Sequence, residues 1–146
     1  MIRRLGVLVS TLALAVLPLA ACGSEDAVEP ESGPSIELLG LVHQTAAGGQ
    51  VGEALTPVDT PEKLDDYVTQ FRGEALADDI RELTDDYLAS GELLAQVIAV
   101  GCDVPPGAEF GFNSEGPFVS ARRVVDPLPE CLAAVTTVAV VAVSES

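Results

Sequence analysis

Tryptophan is absent from the 146 residues, aromatic side chains make up 4%, and histidine, methionine and lysine occur once each. Each scarcity excludes something. A sugar platform or an aromatic cage needs several stacked rings, and the chain has little material for either. A zinc site takes three or four clustered N or S donors. The sole imidazole, His43, has no second imidazole and no cysteine pair beside it in sequence, so it is read as no metal ligand. Any Ser-His-Asp or Cys-His arrangement would have to use that same His43, and no serine sits in a G-x-S-x-G turn. Carboxylates suffice for a glycosidase pair, but stacking aromatics and a deep cleft do not follow from this composition. Phosphate-cradling glycine loops are missing as well. The chain is therefore expected to be non-enzymatic, without cofactor and without metal.

Basic residues are also few. Seven Lys and Arg face 23 Asp and Glu, for a formal net charge of −16. Such a chain is repelled by phosphate backbones and anionic lipid headgroups, so nucleic acid is not an expected partner. What is abundant is small and aliphatic: 48% of residues are hydrophobic, mostly Val, Leu, Ile and Ala, enough for the core of one domain. Six arginines against the single Lys63 fit a GC-rich bacterial genome.

The N-terminal segment has its own grammar. Arg3-Arg4 precede an apolar run from Leu5 to Leu17, followed by Pro18 and Leu19-Ala20-Ala21-Cys22. A positive pair, a short hydrophobic stretch and small residues before a cut describe a secretory signal peptide. A spanning helix needs about 20 apolar residues, more than this run supplies. Leu5-Gly6-Val7 after the arginine pair also departs from a twin-arginine signal, which favours ordinary Sec export. Leu19 to Cys22 resembles the lipobox of bacterial lipoproteins. That resemblance covers about the first 22 residues and implies that the Cys22 thiol receives a diacylglycerol and becomes the new N-terminus. It further implies residence on the extracytoplasmic side of the cell membrane, with the membrane itself as a partner through lipid on Cys22. An ordinary secreted protein with Cys22 in a disulfide is the competing reading, but the other two cysteines make a pair and leave Cys22 over. Losing Arg3 and Arg4 takes the charge from −16 to −18. The organisation expected is signal 1–21, lipidated Cys22 with an acidic spacer to residue 34, and one domain over 35–146. The spacer is rich in Ser, Glu, Pro and Gly and has too little to bury to offset its ordering entropy.

Along the domain, Ser35 to Gln44 reads as a strand, Ala46 to Gly49 as a small-residue loop, and Val51 to Val58 as a short strand weakened by Gly52 and Pro57. Thr60-Pro61-Glu62 is a helix start, with a capping hydroxyl and proline at the first helical position. Leu64, Tyr67, Val68 and Phe71 follow at helical spacing up to Gly73. Leu76, Ile80, Leu83 and Tyr87 predict a second amphipathic helix ending near Ser90-Gly91. Glu92 to Cys102, almost continuously apolar, fits a strand covered on both faces, although Leu93 to Ala95 also suit a helix extension. Ala108 to Asn113 and Phe118 to Val125 are two further strands joined by a turn. After Asp126-Pro127-Leu128-Pro129, the segment Leu132 to Val143 closes the domain as a central strand.

Cys102 and Cys131 end one strand and begin another. Export to an oxidising compartment predicts a disulfide, worth about 3–4 kcal/mol for a loop of roughly 30 residues on chain-entropy reasoning. Redox pairs stand two residues apart, and these do not. The doublets Asp65-Asp66, Asp78-Asp79 and Asp85-Asp86, with Glu74 and Glu82, lie mostly opposite the apolar stripes. Asp78, Glu82 and Asp85 or Asp86 form a row on one helix. Calcium takes six to eight oxygens from a folded loop, so a solvated face is the default reading. Arg122-Arg123 is read as balancing nearby acids.

This order predicts an α+β domain: a mainly antiparallel sheet of about four to five strands, two helices packed on one face, and one disulfide. The helices-strand-Pro/Gly break over Pro61 to Val143 resembles small bacterial lipoprotein domains that stabilise a partner protease. The chain lacks that pattern's Thr-Gly-Gly-Tyr turn, and no functional residue is carried across. The function expected is a tethered binding or accessory module for another cell-envelope protein, acting through the loop with Phe110, Phe112 and Phe118. The alternatives are a small-ligand or cation carrier using the acidic helices, and a hydrolase built on His43.

Overall fold

The computed structural model describes residues 35–88, 91–114 and 116–144. Cys22, the signal and the spacer lie outside the described residues. In chain order the elements are β1 (Ser35–Thr45), β2 (Thr56–Pro57), α1 (Pro61–Val68), α2 (Ala75–Asp85), β3 (Glu92–Gly101), β4 (Ala108–Asn113), β5 (Gly116–Ala121) and β6 (Val135–Ser144). A four-stranded sheet runs β1-β6-β3-β2, and β4 with β5 forms a separate two-stranded ribbon. All pairings between named strands are antiparallel. The expected single sheet is thus divided in two.

The middle of the sheet goes to the two most continuously apolar segments. β3 and β6 each bury six consecutive residues, Leu93 to Ile98 and Thr136 to Val141, with Gln96, Thr136 and Thr137 the polar exceptions, as strands covered on both faces do. One cluster gathers Leu93, Ala95, Val97, Val138 and Val140 with Leu64, Tyr67 and Val68 of α1 and Leu76, Ala77 and Ile80 of α2. The alternate residues Leu94, Ile98, Ala139 and Val141 join Val119 of β5 in a second cluster. β1 contributes to both through a register shift between Leu38 and Gly40. Ile36, Leu38 and Leu41 enter the second cluster, and Leu39 and Val42 the first. An extra residue of this kind turns the strand's alternation over. Gly40 then meets α2, where an ideal Cβ would lie 3.0 Å from Leu83 Cδ2.

Both helices stop earlier than their stripes predict. α1 starts as expected, Thr60 Oγ1 accepting from the Lys63 amide at 3.3 Å, and ends at Val68 instead of Gly73. Beyond it the Arg72 amide donates to the Ala47 carbonyl at 2.6 Å, and Gly48 bridges Phe71. A long-range backbone bond has replaced a helical one. In α2, Thr84 donates its hydroxyl back to the Ile80 and Arg81 carbonyls, at 3.0 Å each, a local competitor of helix propagation. Asp85 and Asp86 follow at the negative end of the helix dipole, where carboxylates are unfavourable. The segment from Val51 yields only Thr56–Pro57 as strand, while Gly52 donates its amide to the Val97 carbonyl at 2.9 Å and accepts from Gln96 Nε2 at 2.7 Å. β5 begins two residues before Phe118 and ends at Ala121; the Arg122 amide then donates to the Gly107 carbonyl at 2.8 Å. β6 begins at Val135, three residues beyond Leu132. Cys102 and Cys131 are disulfide-bonded with Cα atoms 5.3 Å apart, tying the end of β3 to the loop before β6.

Candidate functional site: the β4–β5 ribbon

The ribbon is closed by Asn113, whose Oδ1 accepts from the Gly116 amide at 3.1 Å and whose Nδ2 donates to the Glu53 carbonyl at 2.9 Å. Gly116 has φ 125°, a backbone region in which a side chain is strained. Pro117 is tolerated two residues before Val119, whose amide points out of the ladder to a side chain; by the period of two, the missing N–H of Pro117 costs the ladder nothing.

Paired residues of an antiparallel ladder share a face. Phe110 therefore goes with Val119 and Phe112 with Pro117, while Phe118 goes with Gly111. Phe118 lies across Gly111, where an ideal Cβ would stand 2.6 Å from its Cζ. The three phenylalanines thus do not form one patch. Phe110 and Phe112 are 44% and 78% exposed, while Phe118 is partly buried and lines a groove of about 590 Å³ with Val51, Glu53 and Ser120. Exposed rings two residues apart on one strand place a large apolar contact surface at low side-chain entropy.

The floor of this groove includes Gln96, a residue that sequence reasoning passed over. It is 3% exposed. Its Nε2 donates to the Gly52 carbonyl at 2.7 Å, and its Oε1 accepts from the Val119 amide at 2.8 Å. One buried amide therefore joins the sheet to the ribbon on one side and to the 50–54 segment on the other. The signal available in sequence was a lone amide inside an otherwise apolar run, since buried polar groups are placed where partners meet them.

Arg122 pairs with Glu109 at 3.3 Å, and Arg123 makes no ion pair among the described residues. His43 is exposed on β1 opposite Thr137. Asp78 accepts from Arg81 at 3.2 Å, and Asp65 accepts from the same guanidinium at 3.0 Å, which holds the Arg81 charge more firmly than usual. No group of three or more His, Cys, Asp or Glu among the described residues is arranged to hold a metal ion. No helix among them is long and apolar enough to cross a membrane. Tyr67 is buried with its hydroxyl unpaired, and burial raises its phenol well above the usual tyrosine range. No family model, curated protein or solved structure matches the chain.

Proposed function

We propose that the chain is an exported lipoprotein, anchored through diacylglycerol on Cys22, whose domain is a non-enzymatic binding module for another cell-envelope protein. The observation that carries the binding half of this reading is the exposure of Phe110 and Phe112 on one strand of the ribbon, in a chain with only four phenylalanines. Large exposed rings beside a groove are characteristic of protein contact sites. The export and anchor half rests on Arg3-Arg4, the apolar run and Leu19-Ala20-Ala21-Cys22. We further infer that the two helices cover one face of the four-stranded sheet, which leaves the ribbon on the other as the side offered to a partner. A photoreactive phenylalanine analogue at position 112, in cells that make the protein, tests the binding half. The expected result is a discrete adduct with one envelope protein, with none from the same probe at Asp79, exposed on α2. Equal adducts from both positions, or none from 112, would refute it.

A further inference from the structure

β1, β2, β4 and β5 lie at sheet edges. Open edges invite other chains, and proteins blunt them with bulges, charges, proline or brevity. β1 has a register shift between Leu38 and Gly40, exposes Glu37 and His43, and gives its Thr45 amide to Gln44 Oε1 at 3.2 Å. β2 is two residues long and ends on Pro57. β5 gives its Val119 amide to Gln96. β4 pairs with β5 along its whole length without a shift, and its one charge, Glu109, is already tied to Arg122. It is the edge left unguarded among the described residues.

The ladder shows which groups that edge offers. Opposed residues of an antiparallel pair alternate between exchanging their backbone bonds and turning them away. The Arg122 amide donates to the Gly107 carbonyl, which puts Glu109, Gly111 and Asn113 at the exchanging positions. Two observations agree. Val119, opposite Phe110, sends its amide to Gln96, and Pro117, opposite Phe112, has no N–H to exchange. Ala108, Phe110 and Phe112 therefore turn their backbone N–H and C=O to the open side, where none has a partner among the described residues.

We propose that this edge pairs with the same edge of a second copy, β4 against β4 about a two-fold axis at Phe110. A shared symmetric patch must be complementary to itself, and this register is. Phe110 faces Phe110 of the second copy, and Phe112 and Ala108 face each other, so all three open positions exchange bonds. Glu109 stands opposite Gly111. An axis at Glu109 would set two carboxylates face to face, which is destabilising, and an axis at Gly111 would carry the partner of Ala108 past the end of β4. Pairing uses the edge and leaves the ring-bearing face free. Each copy then contributes Phe110 and Phe112 to one row of rings across a joined ribbon. That this row is what an envelope partner meets rests on the function proposed above; the pairing itself does not. One strand edge is a small contact, and two copies of a chain of net charge −16 repel, so the pair is transient and tightens as salt screens the charge.

Mild oxidation of cysteine variants of the purified full-length mature protein tests it. Phe110→Cys places two thiols across the axis with Cα atoms about 5.5 Å apart, within the range a disulfide bridges. It should give about 5-fold or more cross-linked dimer than Ser120→Cys, exposed on β5, because bridging fails beyond ~7 Å. Ala108→Cys and Phe112→Cys should each give little alone and cross-link when mixed, a pair that keeps Phe110 in place. Trapping should rise with added salt. Phe110→Cys no better than Ser120→Cys, Ala108→Cys or Phe112→Cys trapping alone as well as mixed, or trapping that falls with salt would each overturn the proposal. No outcome bears on the adduct expected from position 112 with an envelope protein, so the two readings fail separately.

Discussion

Replacing Gln96 by leucine should detach the ribbon from the sheet more than any surface change. The side chain is close in size, so packing is largely preserved, but two hydrogen bonds disappear. Gly52 lines the groove and its bond to Gln96 is only part-buried, so water can replace the lost donor there. The Val119 amide belongs to a residue 1% exposed and has no such recourse. A buried donor left unpaired costs about 1–3 kcal/mol, and the lost bond to Gly52 adds about 1 kcal/mol. Extra apolar burial offsets roughly 1 kcal/mol of this. The net loss is about 1–3 kcal/mol, which for a domain of this size lowers Tm by roughly 5–12 °C. Thermal unfolding followed by circular dichroism reads the global cost, and amide hydrogen exchange reads the local one. Val119 and its ribbon neighbours should lose protection while Val138 to Val141 keep theirs, the ribbon opening as a unit. A Tm within about 2 °C of the parent, with Val119 protection unchanged, would refute the role given to Gln96.

Three further outcomes are expected. The double change Cys102→Ser with Cys131→Ser should lower stability in denaturant by about 3–4 kcal/mol, and adding reductant to the parent should reproduce most of that loss. Gly111→Ala pushes a methyl into the Phe118 ring and should cost about 1–3 kcal/mol, with Phe118 turned out of the groove in an NMR spectrum. Tyr67→Phe removes a buried hydroxyl that meets no hydrogen-bond partner, so stability near neutral pH should be unchanged or rise by about 1 kcal/mol. The same variant fixes the sign of an alkaline effect. The folded-state pKa of Tyr67 is raised above its ordinary value of 10.0, so its contribution is fully present below that value and is lost as pH rises past it. The phenylalanine variant should lack that part of the alkaline loss in a pH series of melts.

Elements with a strong, uninterrupted pattern were legible. Glu92 to Cys102 and Leu132 to Val143 read as covered strands because apolar residues on both faces leave few other solutions, and they became the neighbours β3 and β6. Thr60-Pro61 marked a helix start because capping is a local interaction. Cys102 and Cys131 were legible as a pair because an expected export and their places at expected strand ends pointed to each other, and the two are bonded. Element ends were not legible, since distant groups decide them: α1 stops where the Arg72 amide finds Ala47, and the Val51 segment stays irregular where Gly52 finds Gln96. The division of the aromatic loop was also out of reach. Phe110, Phe112 and Phe118 look alike in sequence, and only the register placing Phe118 opposite Gly111 separates them. The unpaired Tyr67 hydroxyl leaves no trace either, because its ring simply continues an apolar stripe.

The tethered-module account depends most directly on the chemical state of Cys22. Mass spectrometry of the N-terminal peptide from the protein as its own cells make it reads that state. The account predicts a chain beginning at Cys22, carrying diacylglycerol and recovered with membranes, and a Cys22→Ser variant that is not lipidated. A mature protein in the medium with a free Cys22 thiol, or one retaining Met1 to Ala21, would contradict it.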